Sequence, residues 1–143
     1  MGAPGPTDIN IVAVSPDHDE PLFDYSIADV EARRIARDRK IGITSDRELS
    51  HVALIDDHVV GAAFVSISHD TYSFDVVVDS AFERRGVGSL LLNAVADIPH
   101  DVAEAFPEIS HKVDVVSPDM ERMLKVRGFH VASQGDGRAT MTR

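Results

Sequence analysis

The sequence predicts an α/β fold, a single domain built on a mixed, twisted sheet of about seven strands with helices on both faces. Three observations carry that expectation. The spacing of apolar residues alternates along the chain between a period of two and a period of about 3.6. Three strands follow one another between residues 51 and 79, joined by tight polar turns. A strand, a helix and a further strand then run from about 72 to 117, a crossover that sets two neighbouring strands parallel.

Each element has its own signature. Residues 1–8 are rich in Gly and Pro and are expected to be disordered, which leaves residues 9–143 for the domain. "INIVAV" (9–14) has the β-branched composition of a short buried strand. From about Pro21 to Lys40, Phe23, Ile27 and Val30 recur at helical spacing, Asp29 faces Arg33 and Glu31 faces Arg34 one turn on, and Arg37, Arg39 and Lys40 suit the negative end of the helix dipole. Strands at about 51–56, 58–68 and 72–79 form an antiparallel meander through the turns "DD" and "HD". From Gly86, the apolar residues Val87, Leu90, Leu91, Ala94, Val95 and Ile98 follow the helical period, and Pro99 ends it. A looser segment extends to Pro107. "HKVDVVS" (111–117) reads as a strand. Ser117 reads as an N-cap with Pro118 at the first helical position, Met120, Met123 and Leu124 line one face of the helix, and Gly128 supplies its left-handed stop. "FHVASQ", "GDG" and "RATMT" close the chain as a hairpin.

Composition narrows the function. The 143 residues are enough to bury about two-thirds of the unfolded chain's surface without a cofactor or cross-link. There is no cysteine, so a disulfide framework, a thiolate metal site and a thiol nucleophile are excluded, and a reducing, cytoplasmic setting is expected. No apolar run approaches the 18 or so residues of a membrane span, and the first residues lack the pattern of a signal peptide. With 14 basic against 24 acidic side chains and a net charge of −10, the chain is poorly suited to neutralising phosphates along a nucleic acid and better matched to an amine-bearing partner. None of the seven histidines forms a metal-binding pair at close spacing, so no metal is expected.

The most informative stretch is "FERRGVGSLLLNAV" (82–95). Two glycines at the start of a helix each cost roughly 1 kcal/mol of helix propensity. Missing Cβ atoms at Gly86 and Gly88 would let a ligand reach the first-turn N–H groups, an anion site suited to a pyrophosphate, with Arg84 and Arg85 at its mouth. The alternative is a tight turn with close strand–helix packing. A P-loop is excluded because no Lys-Ser/Thr pair follows the glycines. A dinucleotide fingerprint is disfavoured by Leu91 and by the meander that precedes the turn.

Helix, meander, "VVVDSAFERRGVGSLLL", strand and "MLKVRGF" in this order resemble the GCN5-related N-acetyltransferase (GNAT) family from residue 9 to the end. "ALIDDHVVGAAFVS" is similar to the family's second hairpin, the glycine turn to its acetyl-CoA signature, and "MERMLKVRGF" to its late helix. The resemblance implies an enzyme that moves an acetyl or other acyl group from coenzyme A to a primary amine of a small molecule or peptide, by direct transfer in a ternary complex. It also implies that backbone groups of Val76, Val77 and Val78 pair with the pantetheine arm, and that the amides of Arg84, Arg85, Gly86, Val87, Gly88 and Ser89 hold the pyrophosphate. The strands at about 72–79 and 111–117 would splay to admit the cofactor. Two positions depart from the family. The signature opens with Glu83 where Arg or Gln is usual, and Leu124 stands where a tyrosine often protonates the departing thiolate.

For chemistry, Asp75 is the first candidate base, a carboxylate in a mostly apolar strand that must be solvated, paired or functional. His111, at the start of the opposite strand, is the second. Ser117 or water is the candidate proton source for the thiolate. Tyr72 is either a core residue or an acceptor contact, and Met120, Met123 and Leu124 are either core or an acyl pocket. A non-catalytic binding module of the same fold is the second expectation, favoured by Glu83 and Leu124. An exposed edge strand would allow two copies to pair.

Overall fold

The computed structural model describes residues 9–14, 24–41, 43, 47–68, 71–83, 85–98, 100–115, 118–135 and 138–143. The elements are β1 (Asn10–Ala13), α1 (Tyr25–Asp38), β2 (Glu48–Ile55), β3 (His58–Ser68), β4 (Thr71–Val78), a 3-10 turn (Ser80–Phe82), α2 (Val87–Val95), α3 (His100–Ala105), β5 (Ser110–Val115), α4 (Pro118–Val126), β6 (His130–Gly135) and β7 (Arg138–Thr142). The short helix α3 and the 3-10 turn lie where sequence periodicity indicated only irregular chain. Six residues are too few to display a helical period.

The seven strands form one sheet in the order β1-β2-β3-β4-β5-β7-β6. Every pairing is antiparallel except that of β4 with β5. The meander, the crossover and the closing hairpin are all as expected. Asp56 and Asp57 take φ of 50° and 65°, the mirror-image turn geometry that matches the twist of the flanking strands.

Each face of the sheet carries its own core. On one face Ala28, Ala32, Ile35 and Ala36 of α1 pack on Leu49, Val52, Ala62, Phe64 and Val77. On the other, Val87, Leu91, Leu92 and Val95 of α2 and Leu124 of α4 pack with Ala53, Ile55, Val60, Phe74, Val113 and Met141. Leu49 and Val52 reach the same face despite their odd spacing because β2 has a register shift between Leu49 and His51, and the extra residue inverts the alternation.

The buried stripe of α1 differs from the expected one. Ile27 and Val30 are 63% and 62% exposed, and Phe23 lies outside the described residues. The helix buries its alanines instead, at i, i+4 and i+8, because small side chains let its backbone lie close on the sheet. Asp24 caps the N-terminus, accepting the Ile27 N–H at 3.1 Å. In α2, Leu90 is 39% exposed and Leu92 is buried, so the helix turns a slightly different stripe inward than expected. Met120 and Met123 pack against the α2-side core, and Gly128 ends α4 at φ 91°. Among the described residues no helix is long and apolar enough to cross a membrane.

Candidate active site

β4 runs beside β5 for only part of its length. The parallel register joins Thr71 to Ser110, Tyr72 to His111, Ser73 to Lys112 and Phe74 to Val113, and there it stops. β4 continues to Val78 while staying paired with β3 throughout. β5 continues to Val115, paired with β7 on its other side. From Asp75 onward, therefore, the edge of β4 that faced β5 has no strand partner among the described residues.

Backbone alternation decides which groups line this open edge. The Asp79 N–H donates to Val60 O at 2.9 Å, so Asp79 and the other odd-numbered residues of β4 turn their N–H and C=O groups toward β3. The even-numbered residues face the opposite way. Val76 and Val78 thus present backbone donors and acceptors to the opening, whereas those of Val77 are spent on β3 and its side chain is buried against α1.

The glycine turn stands at the end of this edge. Gly86 takes φ 86°, a left-handed conformation that only glycine adopts without strain, and caps α2 with no side-chain hydrogen bond. Leu90 is the first residue of α2 to bond back, its N–H donating to Gly86 O at 3.0 Å, so the N–H groups of Val87, Gly88 and Ser89 have no acceptor within the helix. Gly88 adopts ordinary helical backbone. A Cβ built there would meet only Val78 Cγ2, at 3.5 Å, an ordinary contact. Neither strain nor crowding demands glycine at position 88. Its bare surface, next to the last open-edge residue of β4, is what a ligand approaching the amides would use. The edge of β4 at Val76 and Val78 and the first turn of α2 thus leave backbone groups open to a ligand at one place.

Among the described residues, the charged side chains around the turn, Arg85 and Glu83, are already engaged. Arg85 holds its guanidinium 5.5 Å from the centre of the Phe82 ring. Glu83 forms an ion pair with Arg39 at the C-terminal end of α1. A cavity of about 540 Å³ flanks the turn, lined among others by Ile27, Glu31 and Arg34 of α1 and by Asp79, Phe82 and Arg85. Neither Val76, Val78 nor the first turn of α2 lines it, so it is separate from the β4–β5 opening.

Asp75 lies where β4 leaves β5, directed to the α1 face opposite Phe64. Its carboxylate is 3.4 Å from Arg47 Nη1, and the two side chains are only 13% and 19% exposed. The contact is an ion pair by distance, but Arg47 Nη1 makes no hydrogen bond among the described residues, so it offsets only part of the cost of a carboxylate in this strand. Arg33 donates to the Arg47 backbone O at 2.8 Å and lies over the Phe64 ring, which fixes the chain that carries Arg47. Sequence reasoning missed Arg47 and the Arg39–Glu83 pair, because partners so distant in the chain leave no periodic signal.

Tyr72 is a core residue. Its hydroxyl donates to Val95 O at 2.8 Å, and burial, with the nearby charge of Asp97, pushes its pKa up to about 12. Leu124 is fully buried, and Met120 and Met123 pack beside it. His111 occupies the β5 position opposite Tyr72, but its side chain, like Ser117 and Arg84 as whole residues, lies outside the described residues. Among the described residues no group of three metal-ligating side chains comes together.

The model of the acetyltransferase (GNAT) family matches residues 10–129. No curated protein matches the chain. Among solved structures it is similar to Ard1 from Thermoplasma volcanium, with a TM-score of 0.62 and 20% identity over 94% of this chain and 96% of that one. The structure of yncA from Salmonella typhimurium with its cofactor acetyl-CoA superimposes with a TM-score of 0.60 and 16% identity, over 94% and 90% of the two chains. The ribosomal-protein-S18-alanine N-acetyltransferase from Escherichia coli gives 0.58 and 13%, over 94% and 90%. With the family match spanning most of the sequence, the chain belongs to the GNAT acetyltransferases, whose acyl donor is acetyl-CoA.

Proposed function

We propose that this protein transfers an acetyl group from acetyl-CoA to a primary amine of a small molecule or peptide, directly, with both substrates bound. The observation that supports this best is the meeting of two features at one place: the unpaired edge of β4 at Val76 and Val78, and the uncapped amides of Val87, Gly88 and Ser89. The first pairs with an extended amide-bearing arm as another strand would. The second holds an anion.

The bound cofactor supplies an acyl thioester: the amine nitrogen bonds to the acyl carbon, the C–S bond breaks with its electrons on sulfur, and the nitrogen loses a proton. The amine must arrive neutral. Asp75, held by Arg47 where the strands part, takes up its proton directly or through water, with His111 as the second candidate. Leu124 has no proton to give the thiolate, so that proton comes from water or Ser117. Without cysteine there is no acyl-cysteine intermediate. The charge of −10 suits a cationic acceptor and, with the lack of thiols, a cytoplasmic setting.

The test is calorimetric titration of acetyl-CoA into the wild-type protein and into Gly88→Trp, followed by an assay of thiol release with a panel of amines. Micromolar binding lost in Gly88→Trp, with amine-dependent thiol release, is expected. Equal binding by both proteins would refute the phosphate cradle. Binding without release to any amine would favour a second reading, an acyl-CoA-binding module without turnover, which the burial of Leu124 at the place of the family's acid favours.

A further inference from the structure

The ion pair between Arg39 and Glu83 joins the end of α1 to the approach to the glycine turn. Resting on the acetyl-CoA reading, we infer that Arg39 is a positioning residue for the cofactor: it neutralises Glu83 and so allows the phosphate-bearing half of coenzyme A to bind next to a carboxylate.

The backbone on both sides is fixed. Arg39 is the C-cap of α1, and the chain reverses immediately after it. Lys40 takes φ 59° and donates its N–H to Arg37 O at 2.9 Å, while the Ile41 N–H donates to Ala36 O at 2.8 Å. This is the paired closure usually made with glycine, held here on a lysine in a conformation that side chains disfavour. Ile41 packs into the α1-side core and anchors the reversal. Glu83 in turn ends the 3-10 turn that Asp79 caps by accepting the Ala81 N–H at 3.0 Å.

Stability does not account for the pair. Its side chains are 35% and 42% exposed, and such pairs add little to folding. Electrostatics at the turn does account for it. Glu83 precedes Gly86 by three positions, where the signature of similar proteins carries Arg or Gln, and an uncompensated carboxylate there would repel a pyrophosphate at the start of α2. Arg85 is committed over Phe82. Among the described residues, the neutralising charge comes instead from the far end of α1, a position no local motif includes.

A double-mutant cycle tests this on the full chain, with binding measured by calorimetry for acetyl-CoA and for acetyl-pantetheine, which lacks the phosphates. Arg39→Ala is expected to weaken acetyl-CoA binding about tenfold at low ionic strength, and less at high, as for a screened repulsion at contact range. Glu83→Gln should bind as well as wild type or better, and the double variant should match Glu83→Gln. Arg39→Lys should bind like wild type, and acetyl-pantetheine should not distinguish the variants. Wild-type affinity in Arg39→Ala, a double variant as weak as Arg39→Ala, or an equal loss for acetyl-pantetheine would overturn the inference alone. Failure of the wild type to bind acetyl-CoA would overturn the cofactor reading and this inference with it.

Discussion

Tyr72 ties the middle of the sheet to the end of α2 through its bond to Val95 O. With a pKa pushed up to about 12 in the fold against an ordinary value near 10, the folded protein keeps a proton that the unfolded chain gives up. The stability from this proton is complete below pH 10 and is lost as the pH rises through about 12. Tyr72→Phe should therefore cost about 1 kcal/mol at pH 7, and the gap to wild type should narrow between pH 10 and 12, as measured by urea denaturation across that range. Asp75 was legible as an unusual carboxylate in an apolar strand. That it is paired, and with Arg47, was not, because contacts of this length in sequence arise only when strands β2, β3 and β4 assemble.

Elements were legible in proportion to their length and periodicity. α2, α4 and the meander follow patterns that local physics dictates. α1 was placed correctly but faced wrongly: the larger side chains of Ile27 and Val30 suggested a stripe, whereas packing selected the alanines that bring helix and sheet together. The start of α2 carries a prediction that separates stability from function. Because a Cβ at position 88 meets only an ordinary contact, Gly88→Ala should stabilise the protein by up to about 1 kcal/mol in thermal or urea melts while weakening acetyl-CoA binding. Gly86→Ala should do the opposite for stability, costing about 1–2 kcal/mol, because position 86 needs a left-handed backbone.

At the scale of the whole molecule, α2 is seated against the sheet through Gly61. A Cβ there would lie 2.8 Å from Val87 Cγ1 and 3.0 Å from both Leu91 Cδ1 and Val77 O. Gly61→Ala is expected to cost about 1–3 kcal/mol by overpacking and to weaken cofactor binding as well, since the helix that shifts carries the anion-binding amides. Denaturation and titration of the same variant would show both losses together. Strand and helix order, the parallel crossover and the glycine turn were legible before folding, because each follows from periodicity, turn chemistry or helix propensity acting over a few residues. Where β4 parts from β5, that Val76 and Val78 face the opening, and which arginines stand beside Asp75 and Glu83 emerge only once the chain is folded. Those outcomes depend on sheet register and on charges brought together from distant segments, and neither is encoded in local pattern.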